Sequence, residues 1–177
     1  QGPLKDAHKL FEEFRGVITG PATDKSWLSR EDYLNLGVKE SIFLAEEREL
    51  AYDVFEKYLA FLQKEHFYDS NIVSHQYLQY IQPRYDFVVV DEVQDLTNIQ
   101  LYLIIKSLRE TQNFILCGDS NQIVHPNLFS WSRVKSIFHD AGGDRGVRVD
   151  LGGADGADRV GGGVLLVVRV QDEQDVE

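Results

Sequence analysis

The 177-residue chain carries 18 basic and 29 acidic side chains, giving a formal net charge of −11, with one cysteine and no methionine. That balance excludes an internal disulfide framework. It also speaks against a free-standing nucleic-acid binder, which needs clustered lysine and arginine to meet phosphates. A charged N-terminal stretch, and no apolar run near the roughly 20 residues that cross a bilayer, leave no expectation of a signal peptide or membrane partner; a cytoplasmic protein fits.

Residues 1–84 read as helices. Leu10, Phe11, Phe14, Val17 and Ile18 recur at helical spacing until Gly20-Pro21 breaks the run. Ser29-Arg30-Glu31-Asp32 has the form of a capping box, opening a short helix through Tyr33, Leu34 and Leu36 that Gly37 can end. The longest helix is predicted from about Ala45 to His66, with Ala51, Val54, Phe55, Tyr58, Phe61 and Leu62 along its apolar stripe. A further helix is expected to start near Ser74 and stop before Pro83.

From Tyr85 the pattern changes to strand, helix, strand. Phe87-Val88-Val89-Val90 has no alternating polar face, so it is expected to be a strand buried on both sides. Thr97-Asn98-Ile99-Gln100 resembles a capping box, and its helix continues through Leu101, Ile104, Ile105 and Leu108. Asn113-Phe114-Ile115-Leu116-Cys117-Gly118 supplies the second strand, with Cys117 expected in the core. Such a βαβ unit has parallel strands and a right-handed crossover, so both strands end on one edge of the sheet. Asp119 and Gln122 are thereby brought toward Asp91 and Glu92.

Ligands of open α/β sheets bind at that carboxyl edge. An acidic pair there suits phosphate chemistry. Asp91 would hold a magnesium ion, largely through its water shell, and Glu92 would orient and deprotonate an attacking water. The five histidines are scattered without metal-ligand spacing, so no zinc site is expected.

Residues 140–177 use a different alphabet. Nine of the fourteen glycines fall between Gly142 and Gly163, and no aromatic residue or lysine follows Phe138. Two readings stand: a GC-rich message translated out of frame, or a flexible acidic linker. Gly163–Val170 has strand propensity but no evident upstream partner.

Asp91-Glu92-Val93-Gln94-Asp95 followed by Gly118-Asp119-Ser120-Asn121-Gln122 resembles motifs II and III of superfamily 1 DNA helicases of the UvrD/Rep type. Leu28–Tyr33, the Glu46–Tyr58 helix and Phe67-Tyr68-Asp69 look closer to the UvrD-like branch related to tetratricopeptide- and ankyrin-repeat helicases. The resemblance implies an α/β fold: part of a RecA-like P-loop ATPase domain over 85–139, preceded by a helical insertion over 1–84. It implies ATP and Mg2+ as cofactors, and single-stranded or partly duplex DNA, with RNA as the other candidate, as partner.

On matching positions it implies Asp91 as the magnesium ligand and Glu92 as the activator of water. Gln94 and Asp95 would couple the nucleotide site to motif III, Asp119 would belong to that site, and Gln122 would sense the γ-phosphate. Phe129, Trp131 and His125 would stack on bases. Here the chain departs from the family, with Ile123-Val124-His125-Pro126 in place of the usual aromatic and no Arg-Gly-Ala after it. Pro126 can open a helix along which Val134, Ile137 and Phe138 continue an apolar pattern, so core packing competes for Phe129 and Trp131.

A phosphate-binding loop needs Gly-x-x-x-x-Gly-Lys-Ser/Thr. Lys25-Ser26 fails that test, with Asp24 and Thr19 where the glycines belong. The absence of methionine and the Gln1-Gly2-Pro3 start read as a piece of a longer protein. Alone, lacking that loop and a second RecA-like domain, the chain is expected neither to hydrolyse ATP nor to unwind DNA. Two other readings compete: a degenerate helicase-like module that binds protein or nucleic acid, and a nuclease using Asp91, Glu92 and Asp119 as metal ligands.

Overall fold

The computed structural model describes residues 6–22, 24–111 and 113–118, together with the backbone of 149–151 and 166–168. The described residues fall into two compact units, one from those up to Gln79 with Thr97–Gln100, the other from Tyr80–Leu96 with those from Leu101 onward. Among the described residues, no helix is long and apolar enough to cross a membrane.

In the first unit, α1 (Ala7–Glu13) is opened by Asp6, whose carboxylate accepts from the N–H groups of His8 and Lys9. It runs into one π turn, Phe14–Ile18, closed by the Thr19 hydroxyl on the Phe14 carbonyl at 2.9 Å. Gly20 then lies so close beneath this turn that a Cβ would stand 2.4 Å from the Arg15 carbonyl oxygen. The short α2 (Arg30–Leu34) has the expected Ser29 cap, accepting from Asp32 N–H at 3.2 Å. The long α3 (Ala45–Glu65) ends at His66, in the left-handed conformation.

The fourth helix differs from expectation. α4 (Ser70–Tyr77) starts a turn before Ser74 because the Asp69 carboxylate accepts from Asn71 and Ile72 N–H, at 2.9 and 3.0 Å. Along α3 the stripe is also narrower than expected. Ala51 and Phe55 are buried, but Phe61 is 49% exposed and packs edge-on against Phe67 with ring centroids 5.7 Å apart.

The core of this unit is aromatic. Phe55, fully buried, meets Phe14 at 5.2 Å and Tyr52 at 5.5 Å between centroids, in edge-to-face geometry. Two charged groups are buried beside it. Glu13 accepts from the Tyr33 hydroxyl at 2.7 Å, from Ile42 N–H at 2.9 Å and from the Ser41 hydroxyl. Arg48 donates to the carbonyls of Phe43, Leu36 and Gly37. These bonds replace the hydration each charge gives up. At the surface, Arg30 of α2 bridges Glu49, Asp53 and Glu56 of α3 at 2.6–2.9 Å. Asn71 joins three backbone segments: its amide donates to the Arg15 carbonyl and to Thr19, and its oxygen accepts from the Thr97 hydroxyl at 2.7 Å.

The second unit is built on β1 (Val88–Val90) and β2 (Phe114–Leu116), paired in parallel with Val89 opposite Ile115. Between them in sequence lies α5 (Asn98–Lys106). Only half of the expected capping box forms: Gln100 accepts from Thr97 N–H at 3.1 Å, while the Thr97 hydroxyl is spent on Asn71. Val90, Val93, Leu101, Ile105, Leu108, Phe114 and Leu116 are buried. The expectation that β1 is buried on both faces is corrected, since Val89 is 62% and Phe87 53% exposed. Alternate residues of a strand point to opposite faces; the face carrying Val90, Phe114 and Leu116 is covered, while on the other Val89 is exposed and Ile115 half-buried.

The tail supplies a second small sheet, in which β3 (Val149–Leu151) pairs antiparallel with β4 (Leu166–Val168). Leu166–Val168, within the stretch of strand propensity, thus has the upstream partner that local propensity did not reveal.

Tyr33 and Tyr58 generate a pH prediction. Burial first, then the Glu13 carboxylate, holds the Tyr33 phenol far above its ordinary range; burial and the hydrogen bond to Asp69 do the same for Tyr58. A phenol whose pKa is raised on folding loses its proton first in the unfolded chain. Its stabilising contribution is therefore whole below about pH 10 and declines as pH rises from there toward the folded-state value. Urea midpoints followed by circular dichroism between pH 8 and 11 should fall more steeply for the native chain than for Tyr33→Phe. Equal slopes would remove Tyr33 from the account.

Candidate active site

The apolar β1 ends at Val90, and the chain turns at once through Asp91 and Glu92 into a single 3-10 turn, Val93–Asp95. Two backbone bonds hold this turn against the end of β2, and a third closes the turn on itself. Cys117 N–H donates to the Val90 carbonyl at 2.7 Å, Val93 N–H donates to the Cys117 carbonyl at 2.9 Å, and Asp95 N–H closes on the Glu92 carbonyl at 2.9 Å. Val93 is fully buried, so its side chain pins the turn to the core while Asp91, Glu92 and Asp95 remain at the surface.

Glu92 occupies the left-handed region, with φ 51° and ψ 42°. For a residue with a Cβ this costs about 1–2 kcal/mol, and the surrounding bonds must supply it. Its carboxylate is gripped locally: Gln94 Nε2 donates to Oε2 at 2.5 Å. Asp91 Oδ1 accepts from the Glu92 N–H at 2.9 Å, and no further bond engages its second oxygen among the described residues. Both acids accompany Gln94 on one short turn at the carboxyl end of a parallel strand.

That donor set fits magnesium better than a structural metal. Magnesium keeps several waters and takes one or two carboxylates, with phosphate oxygens completing its shell. Asp91, exposed and with one oxygen bonded locally, offers one such carboxylate. Among the described residues, no group of three or more His, Cys, Asp or Glu forms a protein-only metal cage.

Cys117, expected in the core, is only half-buried at the end of β2. Burial chiefly, and then the negative charge of Asp91, pushes its thiol above the ordinary range. A cavity of about 600 Å³ runs along β1 past Phe87, Val89, Leu96 and Ile104, with Asp91 among its walls. Its lining is mostly apolar, with Ser107 and Asp91 the polar side chains besides Tyr85, which sets it apart from the acidic turn.

Asp91, Glu92, Gln94 and Asp95 are thus gathered on one turn. Asp119, Gln122, His125, Phe129 and Trp131 lie outside the described residues; the described part of that segment, Cys117-Gly118, stands against Val93 and Gln94. Two features escaped sequence reasoning. Glu92 is left-handed without being Gly or Asn, so nothing in its identity signals the conformation. Cys117 reaches the electrostatic neighbourhood of Asp91 because the strands pair in this register.

A model of the UvrD/REP helicase N-terminal domain matches residues 35–132, more than half of the chain and inclusive of the acidic turn. A human protein, TPR and ankyrin repeat-containing protein 1, is 26% identical over 121 residues, which are 64% of this chain and 4% of that protein. The chain therefore spans a small part of the curated relative it matches. No solved structure matches it.

Neutralising Asp91 should bring the Cys117 thiol down. In Asp91→Asn the alkylation rate with iodoacetamide should reach half its maximum at lower pH than in the native chain, because the thiolate no longer faces a carboxylate. An unchanged profile would show that burial alone sets the thiol.

Proposed function

This chain belongs to the UvrD/REP helicase N-terminal domain family, and on that premise we propose that it is part of an ATP-driven motor. In this reading it contributes the magnesium and water-activating half of the nucleotide site. The single observation that carries the proposal is the turn at Asp91–Asp95, where two exposed carboxylates follow a parallel strand with one covered face and are tied to the end of its neighbour. The likeness to TPR and ankyrin repeat-containing protein 1 supports placing the chain in the branch related to repeat-bearing helicases.

Asp91 would hold Mg2+, and the ion would supply charge neutralisation at the phosphates of ATP when bound. Glu92 would accept a proton from the water that attacks the γ-phosphate. The left-handed backbone and the Gln94 bond aim its carboxylate before any nucleotide arrives, so little reorganisation remains for the reaction itself. Gln94 and Asp95 would couple this turn to the segment after β2, where Asp119 and Gln122 would read the γ-phosphate. Hydrolysis would drive movement on single-stranded or partly duplex DNA, with His125, Phe129 and Trp131 as candidate base contacts.

Neither a phosphate-binding loop nor a second RecA-like domain can be assigned within the 177 residues. The motor is therefore the full-length protein that carries this chain, and the chain by itself is inactive in this reading.

The experiment is Glu92→Gln in that full-length protein. ATP binding should persist, since the change removes a base but leaves a polar group of the same shape. Steady-state turnover should fall about 10²–10⁴-fold. Turnover equal to that of the native protein would exclude Glu92 as the base.

A further inference from the structure

We infer that Gly118 is a positioning residue for Glu92, acting through the side chain of Gln94; the inference rests on the reading of Glu92 as general base. Gly118 directly follows Cys117, whose N–H and carbonyl hold the acidic turn. A Cβ at this position would stand 2.5 Å from Gln94 Oε1 and 2.8 Å from Val93 Cγ1. Its backbone lies outside the left-handed region, so the need for glycine is one of space and not of φ. The missing side chain is what lets the turn seat itself on the strand end.

The two close neighbours would respond differently to a methyl group. Val93 is fully buried and bonded through its N–H to the Cys117 carbonyl, so it can give by only a few tenths of an ångström. Gln94 ends in a flexible amide and would swing away. That amide faces two ways, with Oε1 against Gly118 and Nε2 donating to Glu92 Oε2 at 2.5 Å. Displacing it from Gly118 therefore releases the Glu92 carboxylate. The β1–β2 bonds, made by Val88, Asn113, Val90 and Cys117, stay in place. Gly118 thus affects the orientation of the base without touching nucleotide or water.

The test is a cycle of variants in the full-length protein, read as steady-state ATP hydrolysis. Gly118→Ala should lower kcat roughly 10–10²-fold, the scale of a base misplaced by about 1 Å, with KM for ATP unchanged. Gln94→Ala should cost a similar factor. The double variant should be no slower than Gln94→Ala alone, since both changes break the same contact. If Gly118→Ala does not fold, Val93→Ala/Gly118→Ala makes room for the new methyl. That pair should still be slower than Val93→Ala by the factor expected of Gly118→Ala.

Native kcat in Gly118→Ala, or penalties that multiply in the double variant, would overturn the inference. Glu92→Gln measured alongside separates the two failures. Full turnover in Glu92→Gln removes the general-base reading. A slow Glu92→Gln beside a fast Gly118→Ala removes only the role of Gly118.

Discussion

The candidate site depends on the parallel pairing of β1 with β2 and its extension by one bond beyond the strands. Val88 N–H on the Asn113 carbonyl, Cys117 N–H on the Val90 carbonyl and Val93 N–H on the Cys117 carbonyl form a continuous series. Strand side chains alternate with period two, so a slip of one residue would move Val90 off the covered face and turn Asp91 to the other side. The last bond matters as much as the ladder. It turns the chain sharply after Asp91, buries Val93, and leaves the left-handed conformation as the route by which Glu92 joins strand to turn.

Preorganisation and exposure are combined at this turn. Asp91 and Glu92 are at the surface, where carboxylates stay solvated and accessible to a hydrated cation, yet each is tied by a short local bond. Among the described residues, two buried charged groups are treated in the opposite way. Glu13 and Arg48 are buried, and each spends its hydrogen-bonding capacity on hydroxyls and backbone groups of the helical unit. Removing a donor from Glu13 would leave a buried charge undersatisfied, whereas removing one from Asp91 would leave it in water. Buried Glu13 thus serves the fold, and exposed Asp91 has room for a ligand.

Much of the helical unit was legible because its signals are local. Ser29 caps the helix that follows it, and the Gly20-Pro21 break falls after the π turn. The start of α4 was misplaced since the apolar pattern around Ser74 is weak and Asp69 wins by capping a turn earlier. Phe61 belongs to the apolar stripe by helical phase alone, but phase does not say how far along a helix its neighbours reach. The Asn71 hub, with partners at Arg15, Thr19 and Thr97, had no local signature at all.

At the acidic turn, sequence alone determined the two parallel strands, the helix between them, and the acids at the first strand's end, because β-branched runs, a break in periodicity and a capping residue act over a few neighbours. Tertiary structure alone decided that β1 has one exposed face, that Glu92 is left-handed, that Cys117 senses Asp91, and that Gly118 has no room for a methyl group. Each of these depends on atoms brought together by pairing across more than twenty residues. No local preference encodes such a distance, so only the folded register sets them.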